Sequence, residues 1–314
     1  MSNFIFSLNA TIPIFIIIIL GYILRRKGYI DECFVNTGNK IGYAVFLPTL
    51  LFKDISNANV KSHFNPKFII FCMIVTVISI SVVWILSEIF IKNKKIIGSF
   101  VQGSFRGSAA VLGIAFVENI YGSSGMAPMM ILASVPIYNV FSVIILTIKS
   151  ENNIGSTNIL KKSFVNILKN PIIWGIVVGL LASILDLNLP DMVTKSVNSV
   201  AHLATPFALI VLGAGFEGRK ALSKIKPTIV ATLIKLIIIP AVFLPFAMYM
   251  GFRNEEMIAI LIMLGAPSTV SCYVMAKNLG NDDVLASSIV VMSTFFSMFT
   301  ITFWVFVLKT MGYL

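Results

Sequence analysis

Gly265-Ala266-Pro267-Ser268-Thr269 interrupts an apolar stretch, residues 257–279, that is long enough to cross a membrane. Pro267 has no N–H for a helical hydrogen bond, and its ring crowds the carbonyl four residues earlier. Gly265 makes bending easier at the same point, and a Ser-Thr pair is typical of the cap of a new helix. The sequence therefore predicts a membrane helix that breaks and restarts. Irregular backbone at that depth persists only where protein buries it or a watery cavity adjoins it, so the break also predicts a functional site.

The composition is that of a helical protein with many membrane spans. Of the 314 residues, 57% are apolar and 12% are charged. About twenty apolar residues suffice for one crossing, and ten such stretches can be placed: 4–24, 34–55, 67–91, 96–119, 126–148, 168–187, 192–215, 227–250, 255–278 and 284–308. The formal net charge is +11, but Lys and Arg are spread over short loops, which indicates membrane topology and not nucleic-acid binding. The three cysteines have no metal-binding spacing, so we expect neither a metal site nor a cofactor.

The distribution of positive charge predicts the orientation. Residues 4–24 follow no positive region and precede Arg25-Arg26-Lys27, so we interpret them as a span and not as a signal peptide. Loops on one side then carry sixteen Lys and Arg residues, and loops on the other side carry six. Because positive residues accumulate in cytoplasmic loops, we expect a multi-pass protein of the cell membrane with both termini outside and residues 149–163 cytoplasmic.

The chain divides into two halves with matching landmarks. The polar linker 149–163 separates residues 1–148 from residues 164–314, with five predicted spans in each half. Three pairs of landmarks are 158 residues apart and one pair is 161 apart: Pro13 and Pro171, Gly21 and Gly179, Pro48 and Pro206, and then Pro66 and Pro227. At an offset of 152, Gly113 and Ala115 match Gly265 and Pro267, which predicts a second break in the fourth span. Since each half has an odd number of spans, the second copy must be inverted, an arrangement typical of secondary transporters.

Several motifs resemble the auxin efflux carrier family, the PIN-like transporters. They are Phe46-Leu47-Pro48-Thr49-Leu50-Leu51-Phe52, Lys169-Asn170-Pro171-Ile172-Ile173, Ser104-Phe105-Arg106-Gly107 with Gly113, and Gly265-Ala266-Pro267 with Ala276. The resemblance implies two inverted five-helix repeats whose fourth and ninth helices are broken and cross, as in the sodium/bile-acid symporter fold. It also implies elevator-type transport of organic anions, with spans 1, 2, 6 and 7 as scaffold and spans 3–5 and 8–10 as the transport core. The chain departs from the family pattern at Ser108, where relatives usually have Asn, and at Ala115, where they usually have Pro.

The two predicted breaks define a candidate site for a small carboxylate. Each break starts a half-helix whose free N–H groups and dipole favour an anion. Nine residues are the candidates for substrate binding: Ser108, Gly113, Ala115, Thr205, Gly265, Pro267, Ser268, Thr269 and Ser271. We expect an organic anion and the lipid bilayer as partners, and a homodimer formed through the scaffold helices. The coupling ion, H⁺ or Na⁺, is left open.

Three charged or titratable residues fall within spans. Arg106 and Lys235 are candidates for attracting or gating an anion, although both side chains are also long enough to snorkel to the membrane surface. Arg106 is expected well before the fourth-span break. His202 is either a proton carrier or a packed, hydrogen-bonded histidine. The acidic residues fall toward span ends, so no carboxylate relay at mid-depth is expected.

The sequence thus predicts a secondary transporter of small organic anions, auxin-like or malate- or malonate-like, and not an enzyme. No pair of deep carboxylates or nucleophile motif supports proteolysis. An anion channel and a non-transporting membrane sensor are the alternatives. A carrier saturates and shows counterflow, whereas a channel shows large conductance without trans-stimulation.

Overall fold

A computed structural model describes residues 2–56, 65–109, 125–150, 165, 168–185, 187 and 189–314, with side chains from residue 12 onward. Within these ranges the regular structure is helical, apart from one isolated bridge between Gly107 and Ser268. The α-helices are α1 (Ser2–Arg26), α2 (Glu32–Ile41), α3 (Leu47–Ser56), α4 (Pro66–Phe90), α5 (Ile97–Phe105), α6 (Ala127–Ile148), α7 (Pro171–Ile184), α8 (Asp191–Gly215), α9 (Gly218–Ser223), α10 (Ile225–Leu233), α11 (Ile239–Tyr249), α12 (Asn254–Gly265), α13 (Ser271–Asn278) and α14 (Asp283–Thr310). Two π-helical segments, Gly42–Phe46 and Ile234–Ile238, join α2 to α3 and α10 to α11.

Five of the described helical stretches are long and apolar enough to cross a membrane. They are Pro66–Phe90, Ala127–Ile148, Asp191–Gly215, Ile225–Tyr249 and Asp283–Thr310. Each exceeds the roughly 20 residues that a bilayer requires. The chain is therefore a helical, multi-pass membrane protein.

Prolines account for the two π-helical segments. Pro240 follows the second segment and has no N–H to donate to the carbonyl of Leu236, its partner in an unbroken α-helix. Trp304 Nε1 from α14 donates to that carbonyl instead, at 3.0 Å. Pro48 stands in the same relation to the first segment, where the Leu47 amide bonds five residues back to Gly42. π-Helical segments often occur at functional positions, and the second one carries Lys235.

The short helices lie at the centre of the molecule. Every residue of α5 and all residues of α12 from Met257 to Gly265 are buried. A helix that is buried on all sides requires neighbours on all sides. The surrounding helices supply them, with α4, α6, α10 and α14 around α5, and α6, α11 and α14 around α12. The chain thus buries the ends of its interrupted helices in protein and not in lipid.

Glycines set the closest contacts between helices. A Cβ on Gly21 of α1 would lie against the backbone carbonyl of Ile210 in α8. A Cβ on Gly179 of α7 would lie 3.2 Å from the Cα and carbonyl oxygen of Phe52 in α3. Gly21 and Gly179 are as far apart along the chain as Phe52 and Ile210, the residues that they contact. Small residues that allow such backbone approach are the usual contacts between membrane helices.

Replacement of Gly21 by alanine should lower the thermal stability of the protein. The added methyl group must displace α8 backbone, at a cost of about 1–3 kcal/mol that outweighs the better helix propensity of alanine. The measurement is the unfolding midpoint of the purified protein in detergent. Gly42→Ala is the matched control, since its Cβ would meet only Val274 Cγ1 at 3.7 Å. Equal midpoints for the two variants would contradict the contact.

Candidate functional site

The predicted break is present between α12 and α13. Helix α12 ends at Gly265, Ala266 is extended, and α13 begins at Ser271. Because Pro267 has no N–H, the carbonyl of Met263 has no helical partner. It accepts hydrogen bonds from the Tyr138 hydroxyl at 3.1 Å and from Lys235 Nζ at 3.3 Å. Side chains from other helices therefore satisfy the broken end of α12.

A second break follows α5. The helix ends at Phe105, Arg106 is extended, and Gly107 pairs with Ser268 in an antiparallel bridge. The Ser108 amide donates to the carbonyl of Pro267 at 2.8 Å. We call the paired segments 106–108 and 266–270 the junction. Two interrupted stretches of backbone thus provide each other with hydrogen-bond partners.

This break does not coincide with the one that the sequence predicts. Arg106 lies in the break after α5, whereas Gly113 and Ala115 lie outside the described residues, so the predicted break at those two positions stays a prediction. A Cβ on Gly107 would stand 2.9 Å from Lys235 Nζ and 3.2 Å from the carbonyl oxygen of Ala266, so glycine allows the close approach. Gly107 and Ser268 have the same separation along the chain as Pro66 and Pro227. An offset of that size therefore relates the two paired segments of the junction.

Ser268 has a structural role that the sequence did not predict. Its hydroxyl donates to the carbonyl of Gly103 at 2.6 Å, and its amide donates to Ser293 Oγ at 3.0 Å. In a continuous helix the Gly103 carbonyl would accept from residue 107, which has left the helix. The prediction that Ser268 and Thr269 cap α13 is wrong, because no side chain caps that helix and the Ser268 hydroxyl satisfies the other broken end.

A small cavity of about 60 Å³ lies beside the junction. It is lined by both interrupted segments and by α3, α6 and α8. The lining residues are Leu47, Leu50, Leu51, Asp54, Arg106, Gly107, Ser108, Ala109, Val135, Tyr138, Asn139, Ala204, Thr205, Thr269, Val270 and Ser271. The structure therefore brings together five of the predicted residues: Arg106, Ser108, Thr205, Thr269 and Ser271. Gly265, Pro267 and Ser268 are buried behind this wall and do not line the cavity.

Arg106 brings a positive charge to the cavity. Its side chain is 5% exposed, with Nη2 donating to Asn139 Oδ1 and Nη1 lying against Met275 Sδ, both at 2.6 Å. Both partners are neutral, and Arg106 forms no ion pair with any carboxylate in the described ranges. The snorkelling interpretation is therefore wrong for Arg106. A buried cation without an anion is costly, so an anion bound beside it would be strongly favoured.

Three further cavity residues were missed. Asp54 was placed at a span end, yet it lines the cavity from α3. Tyr138 stacks on Phe105 with ring centroids 6.0 Å apart, and Asn139 Nδ2 donates to the carbonyl of Val135 at 2.8 Å. In the sequence, the Tyr-Asn pair within the apolar helix α6 could have indicated the last two residues, because buried polar side chains in such helices have partners or functions.

Lys235 and His202 do not lie where the sequence suggested. Lys235 is fully buried, donates to the Leu264 carbonyl at 2.7 Å, and does not line the cavity. It does not snorkel, because its amino group is buried at the end of α12. His202 is exposed on the outer face of α8, one turn from the cavity residue Thr205. The expectation of a packed histidine is wrong, because the side chain is exposed.

Replacement of Ser268 by alanine should weaken the fold and leave the cavity wall intact. The change orphans the buried Gly103 carbonyl, at a cost of about 1–3 kcal/mol. The unfolding midpoint should fall relative to Ser271→Ala, the matched control, because Ser271 lines the cavity and its hydroxyl donates to the Thr269 hydroxyl at 3.3 Å and to no backbone carbonyl in the described residues. If Ser268→Ala unfolds at the parent temperature, the hydroxyl does not hold the two breaks together.

Comparison with known proteins also indicates a membrane transporter. Residues 6–305 match the family model described as membrane transport protein. An uncharacterized transporter of Methanothermobacter thermautotrophicus is 22% identical over 96% of this chain and 98% of its own length. Uncharacterized transporter MJ1031 of Methanocaldococcus jannaschii is 21% identical over the same shares, and uncharacterized transporter YfdV of Escherichia coli K12 is 23% identical over 87% of this chain and 88% of its own. The family match covers nearly the whole sequence, and the chain belongs to the membrane transport protein family of the auxin efflux carriers.

Proposed function

We propose that the protein is a secondary transporter of small organic anions, with the carboxylate bound at the junction. The observation that carries the proposal is Arg106, a buried guanidinium that lines the cavity and has neutral partners in the described structure. Guanidinium groups have five N–H donors and bind carboxylates through paired, charge-assisted hydrogen bonds. The donors that Asn139 and Met275 leave free are available to such a ligand.

The other cavity residues complete the chemistry. Ser108, Thr205, Thr269 and Ser271 line the same space, and each carries a hydroxyl group that can donate to a carboxylate oxygen. Leu47, Leu50 and Val135 supply apolar wall for the carbon chain. Asp54 disfavours a second negative charge there, so the cavity suits one carboxylate group more than two. Auxin-like monocarboxylates match this pattern better than malate-like or malonate-like dicarboxylates.

The size of the cavity implies movement during transport. Binding pockets for small molecules are usually about 300–1,000 Å³, and the cavity of about 60 Å³ accommodates little more than a carboxylate group. A whole substrate requires a wider state. The cavity is lined by α3 and α8, which we assign to the scaffold, and by the junction and α6, which we assign to the core, so sliding of the core along the scaffold would change its width. This is the arrangement that an elevator mechanism uses.

Internal symmetry supports the proposed architecture of ten spans in two inverted repeats. Gly21 packs on Ile210, and Gly179 packs on Phe52. The two glycines are as far apart along the chain as the two residues that they contact. The two breaks also meet through the bridge between Gly107 and Ser268. These two residues are as far apart along the sequence as Pro66 and Pro227. In this architecture α1 to α3, α7 and α8 form the scaffold, through which a homodimer forms, and the helices of spans 3–5 and 8–10 form the core. Both termini lie outside and residues 149–163 lie in the cytoplasm.

A ligand screen with an arginine variant tests the proposal. Purified protein is heated with mono- and dicarboxylates, with and without sodium and over a range of pH, because a ligand raises the unfolding midpoint according to its affinity. Arg106→Gln should weaken binding of the best carboxylate by about 10–100-fold, as expected for one charge-assisted hydrogen bond. Arg219→Gln, at an exposed arginine of α9, is the matched control.

The outcomes separate the candidate functions. A stabilising carboxylate that Arg106→Gln binds as well as the parent would exclude Arg106 as the anchor. The same carboxylate should then show saturable counterflow in vesicles. Conductance without counterflow would favour an anion channel, and binding without flux would favour a sensor.

A further inference from the structure

Lys235 is held at the end of α12. Its Nζ donates to the Leu264 carbonyl at 2.7 Å and to the Met263 carbonyl at 3.3 Å. Its side chain is fully buried and does not line the cavity, and in the described part of the chain it forms no ion pair with a carboxylate. The role of Lys235 is therefore separate from contact with the transported anion.

The same amino group touches the other half of the junction. A Cβ on Gly107 would lie 2.9 Å from Lys235 Nζ and 3.1 Å from its Cε. The lysine therefore contacts segment 106–108 of the junction, and it also donates hydrogen bonds to the end of α12, which precedes segment 266–270. The π-helical segment Ile234–Ile238, which Pro240 and Trp304 accommodate, fixes the lysine on this side of its helix.

We propose that Lys235 is a tethered cation that fills a monovalent-cation position at the junction. Carbonyls at the C-terminal end of a helix have no amide partners and carry partial negative charge, which attracts cations. Main-chain carbonyl oxygens are also the ligands that coordinate K⁺ in selectivity filters. The Lys235 ammonium supplies this charge from within the chain, so the junction forms without a bound metal cation. Lys235 is a positioning residue, and the inference does not depend on the proposed substrate.

Chemical rescue tests the inference on the full chain without any organic anion. Lys235→Ala removes the ammonium and opens a space beside the carbonyls, whereas Lys235→Met removes the charge but fills the space. Unfolding midpoints are measured in sodium, potassium, methylammonium and choline chloride at equal ionic strength. We expect both variants to fall by about 4 °C or more in choline. Sodium, potassium or methylammonium should restore at least half of the loss in Lys235→Ala and none of it in Lys235→Met.

The same measurement on the parent protein tests the inference without requiring that a variant folds. Its midpoint should be the same in potassium, methylammonium and choline chloride, and selective stabilisation by potassium would overturn the inference. A Lys235→Met protein as stable as the parent, or a Lys235→Ala protein that no small cation stabilises over choline, would also overturn it. If Lys235→Ala cannot be purified in any of the salts, rescue has failed and the inference falls.

A double-mutant cycle tests the contact with Gly107 separately. Gly107→Ala should lower the midpoint of the parent, because the methyl group displaces the lysine. In the Lys235→Met background the same change should cost a different amount, since the amino group is absent. Strictly additive effects would show that Lys235 does not join the two segments.

Discussion

The missing N–H of Pro267 is the constraint on which the rest of the structure depends. A membrane helix can bend cheaply, but it cannot leave a carbonyl without a partner in hydrocarbon. The freed carbonyl of Met263 is satisfied by Tyr138 from α6 and Lys235 from the π-helical segment. Each of these partners must come from a helix packed against α12. The break therefore dictates which helices surround it and which polar side chains they carry.

The two breaks also stabilise each other. Ser108 donates to the carbonyl of Pro267, and Ser268 donates to the carbonyl of Gly103, so each interrupted segment satisfies a group that the other leaves free. This exchange fixes the backbone at Arg106, whose guanidinium is then held in the cavity by Asn139 and Met275. Backbone hydrogen bonding thus places a positive charge where a carboxylate can reach it. The positive charge of the candidate site therefore results from the hydrogen bonds that satisfy the two broken helix ends.

The helices and the break between α12 and α13 were predictable from the sequence, because hydropathy and proline have local effects. The direction in which a side chain points was not. Lys235 and Arg106 are long enough to snorkel, and only their buried neighbours, the α12 carbonyls and Asn139, show that they do not. Ser268 could have donated to a ligand, but its hydroxyl donates a hydrogen bond to the carbonyl of Gly103. His202 and Asp54 were judged by depth alone, and rotation about the helix axis places the first outside the cavity and the second at its wall.

The most direct test of the account is carboxylate binding by Pro267→Ala protein. Alanine restores the N–H that can bond to the Met263 carbonyl, displacing Tyr138 and Lys235 and extending α12 through the junction. Because a continuous helix suits the bilayer, the variant should insert and be purified. The account predicts that a carboxylate that stabilises the parent, and also Pro13→Ala within unbroken α1, no longer raises the unfolding midpoint of Pro267→Ala. A Pro267→Ala protein that binds the carboxylate with parent affinity would contradict the central claim that the broken backbone forms the site.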